Sequence, residues 1–153
     1  MAKLCNWKHG VSVDGKAMGV AVQKSFGTMV ATVAEVSLQN DQARVHRVWV
    51  VTDSGVVVNP DSATAQIEGG IMFGLTAALY GRCDIEKGAV TQSNFHDYPI
   101  MKMAEAPIVK VKLLQSDNTP GGFGEVGVPT IAPAVANALA VLGKRLTRLP
   151  INA

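Results

Sequence analysis

Charge is scarce in this chain. Of its 153 residues, 17% are Asp, Glu, Lys or Arg, against roughly a quarter in an ordinary globular domain. The formal net charge is +2, too small an excess to point to nucleic acid or an acidic membrane surface. Aromatic residues make up only 5%. The two cysteines, Cys5 and Cys83, lack metal-ligand spacing and are too few to hold an iron–sulfur cluster, so no such cluster is expected in this chain. They are expected as free thiols rather than as a disulfide. No apolar run reaches the roughly 18 residues of a membrane helix. Met1 to Gly10 contains Lys3, Trp7, Lys8 and His9 and lacks the apolar stretch of a signal peptide. No internal repeat, paired-carboxylate spacing or Ser/His/Asp arrangement stands out. The length suffices for one domain with a real core.

Glycine, by contrast, is concentrated. In Pro120-Gly121-Gly122-Phe123-Gly124-Glu125-Val126-Gly127-Val128-Pro129, four glycines fall within seven positions around a single carboxylate, Glu125. Pro129 suits the first turn of a helix, where a missing N–H costs nothing. The Ala- and Leu-rich run to Leu142 continues it, Gly143 stops it, and Lys144 and Arg145 place positive charge at its end. Glycine loop, carboxylate and helix N-terminus in that order present backbone N–H groups to an anion beside one acid or base. The same order also has a purely structural explanation, because a Glu near a helix start is favourable dipole electrostatics. The loop is neither a P-loop, having no Lys-Ser/Thr after its glycines, nor a GxGxxG fingerprint.

Residues 1–16 read as an irregular N-terminal segment ahead of a single domain over 17–153. Met18 to Gln23, Met29 to Leu38 and Ala43 to Thr52 read as strands separated by the turn signals Ser25-Phe26-Gly27-Thr28 and Asn40-Asp41, which predicts an antiparallel meander. In the third, Val45, Arg47 and Trp49 are set opposite His46, Val48 and Val50. Asp61 or Ser62 is placed to cap a helix over 63–80, where Ile67, Ile71, Leu75 and Leu79 form an apolar stripe. Gly69, Gly70 and Gly74 are costly inside a helix and imply close packing or a ligand against the backbone. Ala89 to Gln92 is a candidate short strand and Ile108 to Leu114 a half-exposed one. The expected fold is α+β, a mixed, largely antiparallel sheet packed against two main helices near 63–80 and 129–142. His96 and Asp97, in the polar and aromatic stretch Asn94 to Pro99, are explained equally well by ordinary loop roles.

Several stretches together resemble one family. Asn59-Pro60, Gln66-Ile67-Glu68-Gly69-Gly70 with Gly74-Leu75, Asn94-Phe95-His96-Asp97-Tyr98, Glu105-Ala106-Pro107, and Gly121-Gly122-Phe123-Gly124-Glu125 with Pro129 and Ala132-Pro133-Ala134 occur in order. This pattern is similar to the C-terminal part of the molybdenum-binding subunit of the xanthine dehydrogenase and aldehyde oxidase family. The ending Gly143 to Pro150 fits its isoquinoline 1-oxidoreductase large-subunit branch. The resemblance implies a molybdenum hydroxylase acting on an electron-poor carbon of an N-heteroaromatic or an aldehyde, with water as the oxygen source. It implies Glu125 as the general base. It implies molybdopterin, in the cytosine dinucleotide form expected of bacterial relatives, as the cofactor, with Gln66, Gly122, Phe123 and Gly124 as its contacts. The pterin dithiolene would hold the metal, so no protein metal ligand is expected. Expected partners are the N-terminal remainder of the molybdenum subunit, a separate 2Fe-2S small subunit and a small-molecule substrate. The chain would be a fragment of a longer subunit, incomplete as a site by itself, from a bacterial cytoplasm or periplasm. The alternative is a non-catalytic detached domain that self-associates or docks on another subunit.

Overall fold

The computed structural model describes residues 1–152; the last residue of the expected domain, Ala153, lies outside them. Three long strands, β2 (Lys16–Ser25), β3 (Thr28–Gln39) and β4 (Gln42–Asp53), form the expected meander. Both of its hairpins turn on two residues with positive φ, Phe26 (51°) with Gly27 (79°) and Asn40 (50°) with Asp41 (65°). That is the sign required by the tight turn whose twist matches the strands.

Helix α2 (Pro60–Tyr80) then crosses over the sheet, and strand β7 (Ile108–Leu113) returns parallel to β4. Between them lie a small hairpin of β5 (Ile85–Glu86) and β6 (Ala89–Val90) and a single 3₁₀ turn, Met103–Glu105. Helix α3 (Val128–Val141) closes the fold, and Gly143, at φ 86°, ends it. With the short edge strand β1 (Ser12–Val13) included, the sheet order is β1-β2-β3-β4-β7, with only the last pair parallel. The mixed, largely antiparallel sheet with two main helices is therefore the observed fold. No helix among the described residues is long and apolar enough to cross a membrane.

Both helices lie on one face of the sheet. The α2 stripe of Ile67, Ile71, Leu75 and Leu79 meets Ile131, Val135, Ala138 and Leu139 of α3 over Val30, Val48 and Val50. Fully burying each large aliphatic side chain is worth about 1.5–3 kcal/mol. Two glycines allow the layers to approach. A Cβ on Gly74 would lie 2.6 Å from Ile131 Cγ2 and 2.8 Å from the Val128 carbonyl, and one on Gly19 of β2 would collide with the α3 backbone at Ala134 and Ala138.

Local expectations differ from the structure in three places. Residues 1–16 are partly regular. Strand β1 (Ser12–Val13) pairs to β2 at the sheet edge, and helical turn α1 (Ala2–Cys5) brings Cys5 onto the outer face of the sheet. There Cys5 packs with Val33 and Trp49, and Met1, Trp7, Met18 and Val20 flank them. Short local pattern could not show this, because Cys5 is buried only by strands far along the chain. Second, the cap of α2 is Asn59, whose Oδ1 accepts the Ser62 N–H at 3.0 Å, and neither Asp61 nor Ser62. Proline prefers the first helical position, so Pro60 sets the cap one residue ahead of it. Third, β4 does not alternate strictly. The pairing steps from Glu35–Arg47 to Val36–Val45, leaving His46 as the extra residue of a bulge. Val45, Val48 and Val50 thereby share the core face, while Trp49 joins the outer cluster. The His46 ring bonds the Ser37 hydroxyl at 2.8 Å.

Candidate functional site

A cleft of about 580 Å³ opens where the N-terminal half of α2 meets the start of α3. That is within the range of about 300–1,000 Å³ typical of small-molecule sites. Its walls come from three elements. The first is one face of α2, where Gln66, Gly69, Gly70 and Phe73 recur at helical spacing. The second is the end of β2 and its turn, with Gln23, Ser25 and Phe26. The third is the glycine loop and the first turn of α3, with Gly124, Glu125, Val128 and Pro129.

The loop is tightly seated. Gly121 N–H donates to the Ser54 carbonyl at 2.8 Å, Gly122 N–H to the Phe26 carbonyl at 2.9 Å, and Val128 N–H to the Glu125 carbonyl at 2.9 Å. Behind it, Gly127 lies against α2, since a Cβ there would be 3.0 Å from the Ile67 carbonyl. Phe123 is half-buried against the core and Val126 fully buried. Gly124 and Glu125 between them are exposed. No hydrogen bond within the described chain engages the amides of Gly124 and Glu125 or the Glu125 carboxylate. Added Cβ atoms at Gly69 and Gly124 would meet nothing within 4 Å. Across the cleft, Phe26 and Phe73 are 67% and 72% exposed, two aromatic side chains lining it. Phe26 holds positive φ, a conformation uncommon for a bulky residue and the kind of local strain that collects at functional sites.

Of the residues singled out from sequence, Gln66, Gly124 and Glu125 come together in this cleft. Gly122 and Phe123 do not line it. The Gly122 N–H is spent on Phe26 and its carbonyl accepts the Thr28 hydroxyl at 2.8 Å, so neither backbone group is free. Phe123 faces the core. Phe26, Phe73, Gln23 and Ser25 were not legible as site residues. Phe73 carried a signal, its position two turns beyond Gln66 on one helical face; Phe26 carried none beyond the turn itself.

The remaining polar clusters are self-contained. Asp97 accepts the amides of Ser93 and Asn94 at 2.9–3.0 Å, which hold its carboxyl below the usual range. His96 lies 3.5 Å from it, on the surface. Farther along α2, the Tyr80 hydroxyl donates to Glu105 Oε1 at 2.5 Å, and Glu105 Oε2 accepts the Lys102 N–H at 2.7 Å. Burial first, and the hydrogen bond to Glu105 second, raise the Tyr80 hydroxyl above its ordinary pKa of 10.0. The Tyr80 and Lys102 bonds lower Glu105 below its ordinary 4.5. Lys144 bonds Asp41, at 2.6 Å to its carbonyl and 2.9 Å to its carboxylate. Cys5 and Cys83 are free thiols.

The chemistry of the cleft suits a phosphorylated pterin. Such a group needs N–H donors and side-chain amides around it. The Gln66 amide and the unspent amides of Gly124 and Glu125 are donors of that kind, and there is open space over Gly69 and Gly124.

Comparison with known proteins agrees. Residues 6–107 match the family model described as a molybdopterin cofactor-binding domain. The chain is 39% identical over 158 aligned residues to the isoquinoline 1-oxidoreductase subunit beta of Brevundimonas diminuta, covering 99% of this chain and 20% of that protein. It is 30% identical over 154 residues to a Gluconacetobacter polyoxogenes protein named membrane-bound aldehyde dehydrogenase [pyrroloquinoline-quinone], covering 96% of this chain and 20% of that protein. The fold matches quinoline 2-oxidoreductase from Pseudomonas putida 86 with a TM-score of 0.71 at 24% identity, over 81% of this chain and 17% of that one. The chain thus spans about a fifth of the length of these relatives. The matched family model and the isoquinoline oxidoreductase relative together show that this chain belongs to the molybdopterin cofactor-binding domains of the xanthine dehydrogenase and aldehyde oxidase family.

Proposed function

We propose that this domain provides the general base, Glu125, and part of the cofactor cradle of a molybdenum hydroxylase. The observation that carries the proposal is the convergence of Gln66, Gly124 and Glu125 on one cleft from a helix and a loop far apart in sequence. When bound, molybdopterin, in its cytosine dinucleotide form, supplies the two-electron chemistry by which an oxygen atom from water reaches the substrate carbon. Gln66 offers its side-chain amide to that cofactor, and the unbonded Gly124 amide is a second donor at the same cleft. The Glu125 carboxylate, exposed and unbonded, accepts the proton released as the water-derived oxygen attacks. A base acts only within hydrogen-bond reach of that proton, so the rigid seating of its loop matters as much as its chemistry. Phe26 and Phe73 exclude water from the cleft mouth with apolar faces.

The substrate is an electron-poor carbon, next to a ring nitrogen or in an aldehyde; the name of the isoquinoline oxidoreductase relative favours the N-heteroaromatic. Two electrons and two protons leave for each oxygen transferred, and the electrons pass to a separate 2Fe-2S subunit. The rest of the site would come from the portion of the molybdenum subunit that this domain, a fifth of its relatives' length, does not contain. Glu125→Gln in the complete enzyme tests the assignment. Turnover is expected to collapse while molybdenum content stays at the parent level. Near-normal turnover would refute the role given to Glu125.

A further inference from the structure

The loop that carries Glu125 is held at both ends by one strand. At its leading end Gly122 has both backbone groups bonded to the β2–β3 hairpin, its N–H to the Phe26 carbonyl and its carbonyl to the Thr28 hydroxyl. At its trailing end the Thr130 hydroxyl donates to the Gly127 carbonyl at 3.2 Å and shares a 2.7 Å bond with the Thr32 hydroxyl. Each hydroxyl has one proton. Thr130 spends its own on Gly127, so Thr32 is the donor between the two threonines.

Thr28 and Thr32 are both completely buried. They lie on the core-facing side of β3 with Val30 between them, about 13 Å apart along the strand. Neighbouring core-face positions hold Val30, Val48 and Val50, so packing alone would be met by valine, the near-isostere of threonine. What valine cannot supply is the hydroxyl: that of Thr28 bonds the loop directly at Gly122, and that of Thr32 reaches Gly127 through Thr130. Gly121 completes the leading anchor, because a Cβ there would collide with Thr28 Oγ1. Between the anchors, Phe123 and Val126 turn inward while Gly124 and Glu125 turn to the cleft.

We propose that Thr28 and Thr32 are positioning residues that clamp the two ends of the glycine loop and so set the Glu125 carboxylate in the cleft. The proposal rests on the reading of Glu125 as proton acceptor. Thr28→Val and Thr28→Ser in the cofactor-loaded enzyme test it, read by amide hydrogen exchange of the peptide spanning 121–127 and by steady-state kinetics. Thr28→Val is expected to speed exchange in that peptide alone, roughly twofold to tenfold. It should lower kcat about tenfold to a hundredfold with KM nearly unchanged, the signature of a misplaced group rather than lost binding. Thr28→Ser, which keeps the hydroxyl, restores both. Parent-like exchange and kcat in Thr28→Val overturn the clamp, and so does an acceleration spread evenly over the whole chain. If Thr28→Val does not accumulate, Thr32→Val makes the same test at the other end, where Thr130 keeps its bond to Gly127. Faster loop exchange with unchanged turnover in both Thr28→Val and Glu125→Gln removes the base assignment and leaves the clamp standing.

Discussion

Two glutamates face α2 at different points along its length, Glu105 at Tyr80 and Glu125 across the cleft from Gln66. Both oxygens of Glu105 are taken, one by the Tyr80 hydroxyl and one by the Lys102 amide. Those donors hold it ionised to lower pH than an ordinary carboxylate. It fastens the 3₁₀ turn ahead of β7 to the end of α2. Glu125 receives no hydrogen bond from the described chain and stands exposed beside unspent amides. A carboxylate already satisfied by two donors is a structural tie. One left unsatisfied on a rigid loop is available for a proton that arrives with a ligand. Rigidity is common to both, and what separates them is whether the chain itself supplies the donors.

The sharpest way to break the contrast is to neutralise the unsatisfied acid. Glu125→Gln in the complete enzyme is expected to lower turnover about 10²- to 10⁴-fold, while thermal unfolding shows a stability change of no more than about 0.5 kcal/mol, since the side chain is exposed and unbonded.

Helix packing gives the next largest effect. Gly74→Ala drives a Cβ to 2.6 Å from Ile131 Cγ2 and 2.8 Å from the Val128 carbonyl, so denaturant unfolding should show a loss of about 1–3 kcal/mol. It should also disturb the start of α3 and with it the Glu125 loop.

Tyr80→Phe removes one donor from Glu105 and is expected to cost about 1–2 kcal/mol at neutral pH. Its pH dependence distinguishes the tie from simple packing. The Glu105 pKa is depressed in the folded state, so its contribution is present above the ordinary value of 4.5 and is lost as pH falls through the lower folded value. The Tyr80 pKa is raised, so its contribution is present below 10.0 and is lost as pH rises through the higher folded value. Urea midpoints of the variant should therefore change less than the parent's at both extremes. Equal parent and variant slopes would show that the bond does not contribute.

The smallest effect is of opposite sign. Gly69→Ala meets nothing within 4 Å and should stabilise α2 by about 0.5–1 kcal/mol, yet its methyl enters the cleft. Higher stability with weaker cofactor retention is the expected pair of outcomes. Unchanged retention would show that the space over Gly69 is not used.

The meander was legible because each hairpin has a two-residue turn of suitable type and each strand is long enough to show its period. Helices α2 and α3 were legible from their apolar stripes and from the Pro and Gly that bound them. The edge of a cap was not, because Asn59, Asp61 and Ser62 are all capable capping residues and only the position of Pro60 chooses among them. The bulge at His46 was not legible either, since an inserted residue exists only relative to a partner strand.

The sequence by itself determined the pieces of the site and their local form, a glycine loop with one carboxylate ahead of a helix, and a helix bearing Gln66 before two glycines. Those are consequences of backbone freedom, capping and periodicity within a few residues. Only the tertiary structure decided which pieces meet. Gly122 and Phe123 lie within three residues of Glu125, yet the β2–β3 turn claims the backbone of the one and the core claims the ring of the other. Phe26, legible only as a turn residue, and Phe73 stand at the cleft instead. The reason is that a backbone donor serves one acceptor and a buried face has one neighbour, and both are assigned by contacts between elements distant in sequence.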